Sequence, residues 1–422
     1  MIRLVHFADL HLGIEQYGTL DPATGMSTRI RDFLRVLDVV IAFAVEERVD
    51  AVLFAGDAFK NRDPNPTLQR AFAERIRRLT DARIPTVLLV GNHDLPAAVQ
   101  RATPMDIYHA LRLPGIFVAR RIELLHLPLR DTTLQVATLP WVPMNQFLSN
   151  DQIRALDYVE IERRFRELIS QLVREVLGQL DPERPAVFLG HVSIEGATFG
   201  NERGILLGRD PVLSSAELGF HEYPLDYVAL GHLHRHQVIA ARPPIVYAGS
   251  LERIDFGEED EPKGFIVVEI EGGRYPARQV RWQFHTVPAR TFFTLRVKVT
   301  GPEPMTMIQR ALDRAAPEVE NAIVKVVVEG QPELTDRIRL SDVRQAVLER
   351  GAAQVAAIVR EVDRQDRPRI ELAPHQATDP VAMLQRWVDF RNLPLNLKPQ
   401  VIERGRELIQ RARESRRQRA GE

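Results

Sequence analysis

The chain has 422 residues, 45% of them hydrophobic and 27% charged, with a formal net charge of -1 and no cysteine. The missing cysteine excludes disulfides, thiolate nucleophiles and cysteine-based zinc sites, so any metal must be held by His, Asp, Glu, Asn or backbone oxygen. A near-neutral balance gives no support for a nucleic-acid ligand, and without a membrane-length apolar run or a basic signal head a cytoplasmic protein of more than one domain is expected.

Taken in chain order, short apolar runs alternate with amphipathic stretches. Strands are expected over residues 2–8, 51–55 and 87–90, and helices over 30–47 and 68–79, the first with Phe33, Leu34, Leu37, Ile41, Ala44 and Val45 on one face. Leu168, Leu172, Val173, Val176 and Leu177 mark a long helix, followed by strands at 186–189, 227–230 and 245–248. Near-continuous apolar strands between helices indicate βαβ units in a sheet covered on both faces. Near residue 286 the texture changes: Phe293, Leu295, Val297 and Val299 alternate with Thr294, Arg296 and Lys298, the period of a half-exposed strand. A helix with Ile308 and Leu312, a strand at 323–328, a helix from Ser341 and a strand at 355–362 complete a small α+β domain.

Residues 363–378 lack periodicity and read as a linker. Asp379 and Pro380 form a cap and first turn for a helix bearing Met383, Leu384, Trp387, Val388 and Phe390, and a second helix carries Val401, Ile402, Leu408 and Ile409. Two short helices cannot bury Trp387 and Phe390 between them, so the pair docks on the body or on a partner. The basic C-terminal tail reads as a solvated end.

Five apolar runs end in residues able to bind a metal. "LVHFADLH" delivers Asp9 and His11, "AVLFAGD" Asp57, "VLLVGNHD" Asn92, His93 and Asp94, "AVFLGH" His191, and "YVALGHLH" His232 and His234. In a largely parallel or mixed α/β sheet such exits gather on one edge, where these folds place their sites. Gly91 is expected to let the chain turn there. Carboxylates, an amide oxygen and imidazoles without thiolate suit manganese, iron or zinc. A carboxylate bridging two ions about 3.5–4 Å apart would serve in-line phosphoryl attack, and Asp57, central among the exits, is the natural bridge. One such motif is more often a hydrogen-bonded structural histidine; five together make coincidence improbable. His6, His109, His126, His221, His285 and His375 lack this context and are expected to be structural or solvent-facing.

The sequence "DLH", "GD", "GNHD", "GH" and "GHLH", in this order and spacing, resembles the five-part signature of calcineurin-like metallophosphoesterases. With "GHLHRHQ", "YAGSLERIDFGE", the α+β segment and the closing helix pair, it is most similar to SbcD-type DNA double-strand-break repair exonucleases, firmly over residues 1–260 and loosely beyond. The resemblance implies an α/β fold, a β-sandwich flanked by helices. It implies a nuclease domain (1–285), a small α+β DNA-capping domain (286–365), a linker (366–378) and a helical segment that binds the ATPase partner (379–422). It further implies two divalent ions, usually manganese: Asp9, His11, Asp57 and His234 would hold one, and Asp57, Asn92, His191 and His232 the other, with Asp57 bridging. His93 would face the substrate, and Asp94 would accept a hydrogen bond from His93 and fix its tautomer, unless it is a loop cap.

One departure stands out: several relatives have a histidine where this chain has Lys60, which is either a phosphate contact or a surface lysine. Arg253 is likewise open between phosphate contact and structural pairing. The activity implied is manganese-dependent hydrolysis of DNA, as a 3'-5' exonuclease on duplex ends and an endonuclease on single strands, with an SbcC-like coiled-coil ATPase as partner, homodimer formation and a nucleoid-associated cytoplasmic location. Alternatives are another phosphatase or small-molecule phosphodiesterase of the superfamily, and a non-catalytic scaffold for DNA or an ATPase. Against a phosphoprotein phosphatase, the chain has "GDAFKNR" and "GNHD" rather than "GDxVDRG" and "GNHE"; against a scaffold stands the intact ligand set.

Overall fold

Leu4, Val5 and Phe7 are apolar on both sides of one strand, and the computed structural model shows what covers each side. It describes residues 1–95, 102–144, 157–200, 211–362, 380–390 and 397–419. Strands β1 (Ile2–Phe7), β2 (Ala51–Phe54), β3 (Thr86–Leu89) and β4 (Ile116–Ala119) pair in parallel. A second six-stranded sheet is built from β5 (Glu123–Pro128), β6 (Thr133–Leu139), β7 (Ala186–His191), β10 (Tyr227–Gly231), β11 (Gln237–Ala241) and β12 (Pro244–Tyr247) in the order β11-β12-β10-β7-β6-β5. The small pair β8 (Ser193–Ile194) and β9 (Val212–Leu213) lies outside it. Strands β13 (Gly264–Glu271) and β14 (Gln279–Thr286) return antiparallel to complete the first sheet on the β1 side.

The two sheets pack face to face. Leu4, Leu53, Val87 and Leu89 of the first join Val136, Val187, Leu189 and Val246 of the second in one buried cluster. The alternate residues Val5, Phe7, Val52, Phe54 and Leu88 point the other way, onto Phe33, Leu37 and Ile41 of helix Thr28–Glu46 and Phe72 and Ile76 of helix Pro66–Asp81. On the far side of the second sheet, Phe188, Val228 and Leu230 meet Phe165, Ile169 and Val173 of helix Tyr158–Leu177. Each such side chain contributes about 1.5–3 kcal/mol on burial. The strands that carry these residues are therefore covered by helices on one side and by the opposing sheet on the other, the β-sandwich flanked by helices that the resemblance implies.

Helix starts follow their caps: Ser27, Asn65 and Asp157 each accept a backbone N–H of the first turn through their side chains. Strands β4 to β6, β11, β13 and β14 and the helix Asp106–Leu111 had no counterpart among the expected elements. Strands β15 (Phe292–Val299), β16 (Ile323–Gly330) and β17 (Gln354–Val362) form a third sheet with its own core, Val297, Val326 and Val328 packing on Ile308, Leu312 and Val343. The described residues fall into two compact units, Met1–Glu361 and Val362–Glu422. The second unit holds helices Pro380–Phe390 and Lys398–Arg419, and Gly405 leaves room for Leu384 between them. The linker 366–378, His375, Asp379 and the side chains of Trp387 and Phe390 lie outside the described residues. Among the described residues no helix is long and apolar enough to cross a membrane.

Candidate metal centre

All five ligand-bearing exits follow parallel strands, but they come from both sheets. The turns after β1, β2 and β3 carry Asp9, His11, Asp57, Asn92 and His93; the end of β7 and the turn after β10 bring His191, His232 and His234 from the opposite sheet. The site thus sits across one end of the sandwich, not along the edge of one sheet. The β1 and β2 turns are zipped by the backbone: Asp9 N–H donates to Gly56 O, His11 N–H to Asp57 O and Leu12 N–H to Ala58 O, at 2.9–3.0 Å.

This packing places unusual demands on the backbone. Asp9, His11, Asp57 and His232 have φ of +50°, +48°, +60° and +95°. Left-handed backbone at non-glycine residues costs of order 1 kcal/mol each and persists only where the surroundings enforce it. Gly91 serves close approach rather than a left-handed turn, since a Cβ there would lie 2.1 Å from Asp57 Oδ1. Gly56 combines φ of +96° with a Cβ position 2.5 Å from His191 Nδ1.

Asp57 lies between two halves of the site. Its Oδ2 is 3.6 Å from His11 Nε2 and 3.4 Å from His191 Nε2. On one side His11 Nε2 faces His234 Nε2 at 3.0 Å. On the other, Asn92 Oδ1 is 2.9 Å from His191 Nε2 and 3.1 Å from His232 Nδ1. Ligand atoms of Asp9, His11 and His234 lie within 4.8 Å of one another, as do those of Asp9, Asp57 and His191 and those of His11, Asp57 and His93. Asp9 also accepts the backbone N–H of His232 with both carboxylate oxygens at 3.0 Å.

The donor set fits divalent cations. Asp9 and Asp57 are buried, and among the described residues neither forms an ion pair with Lys or Arg. Buried charges of this kind are paired or coordinate metals. His191 donates from Nδ1 to Ala55 O at 2.7 Å, which leaves the Nε2 lone pair aimed at the oxygens of Asn92 and Asp57. Acceptors converging on one point require a cation or an added proton. Burial opposes a proton on His191, yet the Asp57 charge beside it lifts the imidazole to about 9. Burial likewise opposes charge on Asp57, but His191, then His11 and His93, hold its carboxyl well below the usual range. Asp9 is pushed up by burial, against the pull of His191 and His234. A bound dication competes for the position this proton would take.

For three residues the sequence left two readings open, and the geometry gives the partners of each. Asp94 does not accept from His93: its carboxylate takes the backbone N–H groups of Asp57, Ala58 and Gly91 at 2.9–3.0 Å and that of Phe59 at 3.4 Å. Burial and the Asp57 charge raise it to about 7. The anchor of His93 is Lys60, through its main chain: His93 Nδ1 meets Lys60 O at 2.8 Å, while the Lys60 side chain is exposed. Arg253 is structural, its guanidinium bound to the carbonyl oxygens of Glu258, Glu259, Glu261 and Arg290. His93, whose N–H donates to Asp57 Oδ1 at 2.8 Å, stays more open to solvent than the buried ligand candidates.

Two neighbours of the site were not found by scanning for ligand types at strand exits. Trp141, just past β6, holds its ring 5.0 Å from that of His232 and 6.4 Å from that of His191. Glu258 accepts from His234 Nδ1 at 2.8 Å and pairs with the buried Lys263 at 2.8 Å. Burial alone would raise the Glu258 carboxyl, but the His234 imidazole and the Lys263 ammonium bring it down to about 2. The next residue, Glu259, accepts the N–H and hydroxyl of Thr294 on β15.

Comparison with known proteins agrees with this geometry. The chain is 27% identical over 292 residues to the SbcD component of nuclease SbcCD from Bacillus subtilis, covering 67% of this chain and 68% of that one. It is 26% identical over 360 residues to DNA double-strand break repair protein Mre11 of Methanosarcina mazei, covering 84% of this chain and 49% of that longer protein. The Mre11 protein of Aeropyrum pernix matches at 26% over 370 residues, 82% of this chain and 78% of the relative. The sequence model for calcineurin-like phosphoesterases matches residues 2–236, more than half of the chain and all five exits. The chain therefore belongs to the calcineurin-like phosphoesterase family, whose chemistry is metal-dependent hydrolysis of phosphoester bonds.

Proposed function

We propose that the protein is a manganese-dependent DNA nuclease of double-strand-break repair, a 3'-5' exonuclease on duplex ends and an endonuclease on single strands. The observation that carries this is Asp57 standing between His11 with His234 and Asn92 with His191 and His232, in a chain whose relatives are named as nucleases and break-repair proteins. Asp9, His11, Asp57 and His234 would hold one ion, and Asp57, Asn92, His191 and His232 the other. When bound, the ions supply an activated water and neutralise phosphoryl charge during in-line attack.

The chain's own contribution is placement. Asp57 sets the spacing of the two halves, and its Oδ1 fixes the backbone of His93. With Nδ1 engaged by Lys60 O, His93 has Nε2 left for the substrate, where the ring donates a proton to the departing oxygen. Residues 1–285 form the nuclease domain, 286–365 the DNA-capping part, and 379–422, beyond the linker at 366–378, the segment that engages an SbcC-like ATPase. The protein works as a homodimer in the cytoplasm, at the nucleoid.

The test is incubation of the purified chain and manganese with end-labelled duplex DNA, a phosphopeptide and a cyclic nucleotide in parallel. Nucleotide release from DNA ends is expected. Turnover of the phosphopeptide or cyclic nucleotide with intact DNA would overturn the assignment.

A further inference from the structure

We propose that Glu258 is a positioning residue of the metal centre: it holds the His234 imidazole in the one tautomer and orientation that aim Nε2 at His11. The proposal rests on the reading of the site as a two-ion centre. His234 Nδ1 lies 2.8 Å from Glu258 Oε1, and its opposite nitrogen lies 3.0 Å from His11 Nε2. A carboxylate accepts but cannot donate, so Nδ1 carries the hydrogen, and in the neutral ring that binds a metal Nε2 carries the lone pair. A carboxylate behind a ligand imidazole also makes it a better donor to a metal. His191, by contrast, rests its Nδ1 on the neutral carbonyl of Ala55.

The carboxylate is itself fixed in advance. Glu258 Oε2 accepts from Lys263 Nζ at 2.8 Å and from Ile254 N–H at 3.1 Å. Lys263 is 2% exposed, and its ammonium also reaches Glu261 and the backbone oxygen of His234 itself. A buried ammonium at this place neutralises the carboxylate without displacing it from the histidine. The turn Phe256–Glu258 is capped by Asp255, which accepts Gly257 N–H, and is pinned by the Arg253 guanidinium on three carbonyls of residues 258–261. Glu258 is a charge held against the imidazole of His234.

The experiment compares the full-length wild type with Glu258→Ala and Glu258→Gln by manganese calorimetry, metal content after dialysis, and thermal melting of the metal-free proteins. Wild type should take up two ions per chain. Glu258→Ala should weaken one of the two binding steps by about 10–100-fold and leave the other unchanged. Glu258→Gln, which keeps an acceptor oxygen without the charge, should recover part of that loss. Two wild-type binding steps in a folded Glu258→Ala protein would overturn the proposal. Should Glu258→Ala melt far below wild type, Glu258→Gln decides alone, and unaltered affinity in it would be equally fatal. A wild type that binds no manganese would instead remove the two-ion reading on which the proposal stands.

Discussion

The carboxylate of Asp94 accepts the backbone N–H of Asp57 at 2.9 Å, so a residue one place beyond His93 acts on the turn that carries the central carboxylate. Its other acceptances, from Ala58, Phe59 and Gly91, close the β2 and β3 turns onto one another.

Asp94→Ala leaves these buried N–H groups without an acceptor. A loss of about 3 kcal/mol or more is expected, at roughly 1–3 kcal/mol for each donor that water does not reach, together with reduced metal content because the Asp57 turn is released. Urea denaturation and metal analysis check both, and a variant equal to wild type in each would remove the anchoring role.

His93 and Asp57 should separate metal retention from turnover. His93→Ala is expected to abolish cleavage while retaining two ions per chain, whereas Asp57→Ala should lose both cleavage and metal. Loss of an ion from His93→Ala would make that imidazole a ligand, in line with its place near His11 and Asp57.

Arg253 spends its guanidinium on carbonyl oxygens. Arg253→Ala should therefore lower the melting temperature but keep the slope of log affinity for DNA against log salt. A slope reduced by about one would mean a lost phosphate contact.

His6 supplies a pH dependence away from the ligands. Burial lowers its imidazole to about 3, and the neutral ring sits between the Tyr227 hydroxyl at 3.1 Å and Leu230 O at 3.2 Å. The unfolded chain binds a proton below about 6.5 that the folded chain refuses until about 3. Stability from this residue is thus present above 6.5 and lost as pH falls, by about 2 kcal/mol between pH 7 and pH 5. Denaturation at the two pH values should show a smaller drop in His6→Gln, and an identical drop would clear His6 of the effect.

Deleting residues 379–422 removes most of the second compact unit. The remainder is expected to stay folded and metal-loaded and to lose co-purification with the ATPase. An unfolded product would show that these helices complete the body instead.

The residues of the candidate site were legible because their cause is local: an apolar run must end somewhere, and an Asp, Asn or His at each end is visible without knowing what the run packs on. Which sheet each run joins was not legible, since strands covered by helices on both sides and strands covered by a second sheet on one side have the same apolar pattern. For Asp94 the sequence left a bond from His93 and a loop cap both open, because its partners are backbone amides with no side-chain signature. Glu258 was missed for a different reason. It lies 24 residues from His234, at the end of the "YAGSLERIDFGE" segment, where nothing local marks it as that imidazole's partner, and Lys263, which makes its burial tolerable, gives no hint of being buried.

Glu258 and Glu259 are consecutive residues with different clients, one holding His234 and the other holding Thr294 at the start of the three-stranded sheet. A single planar peptide unit separates their Cα atoms, which lie about 3.8 Å apart, so the two anchors start from adjacent points of one turn. The turn thus fastens the three-stranded sheet and an imidazole at the reactive end of the sandwich to neighbouring residues of one short segment.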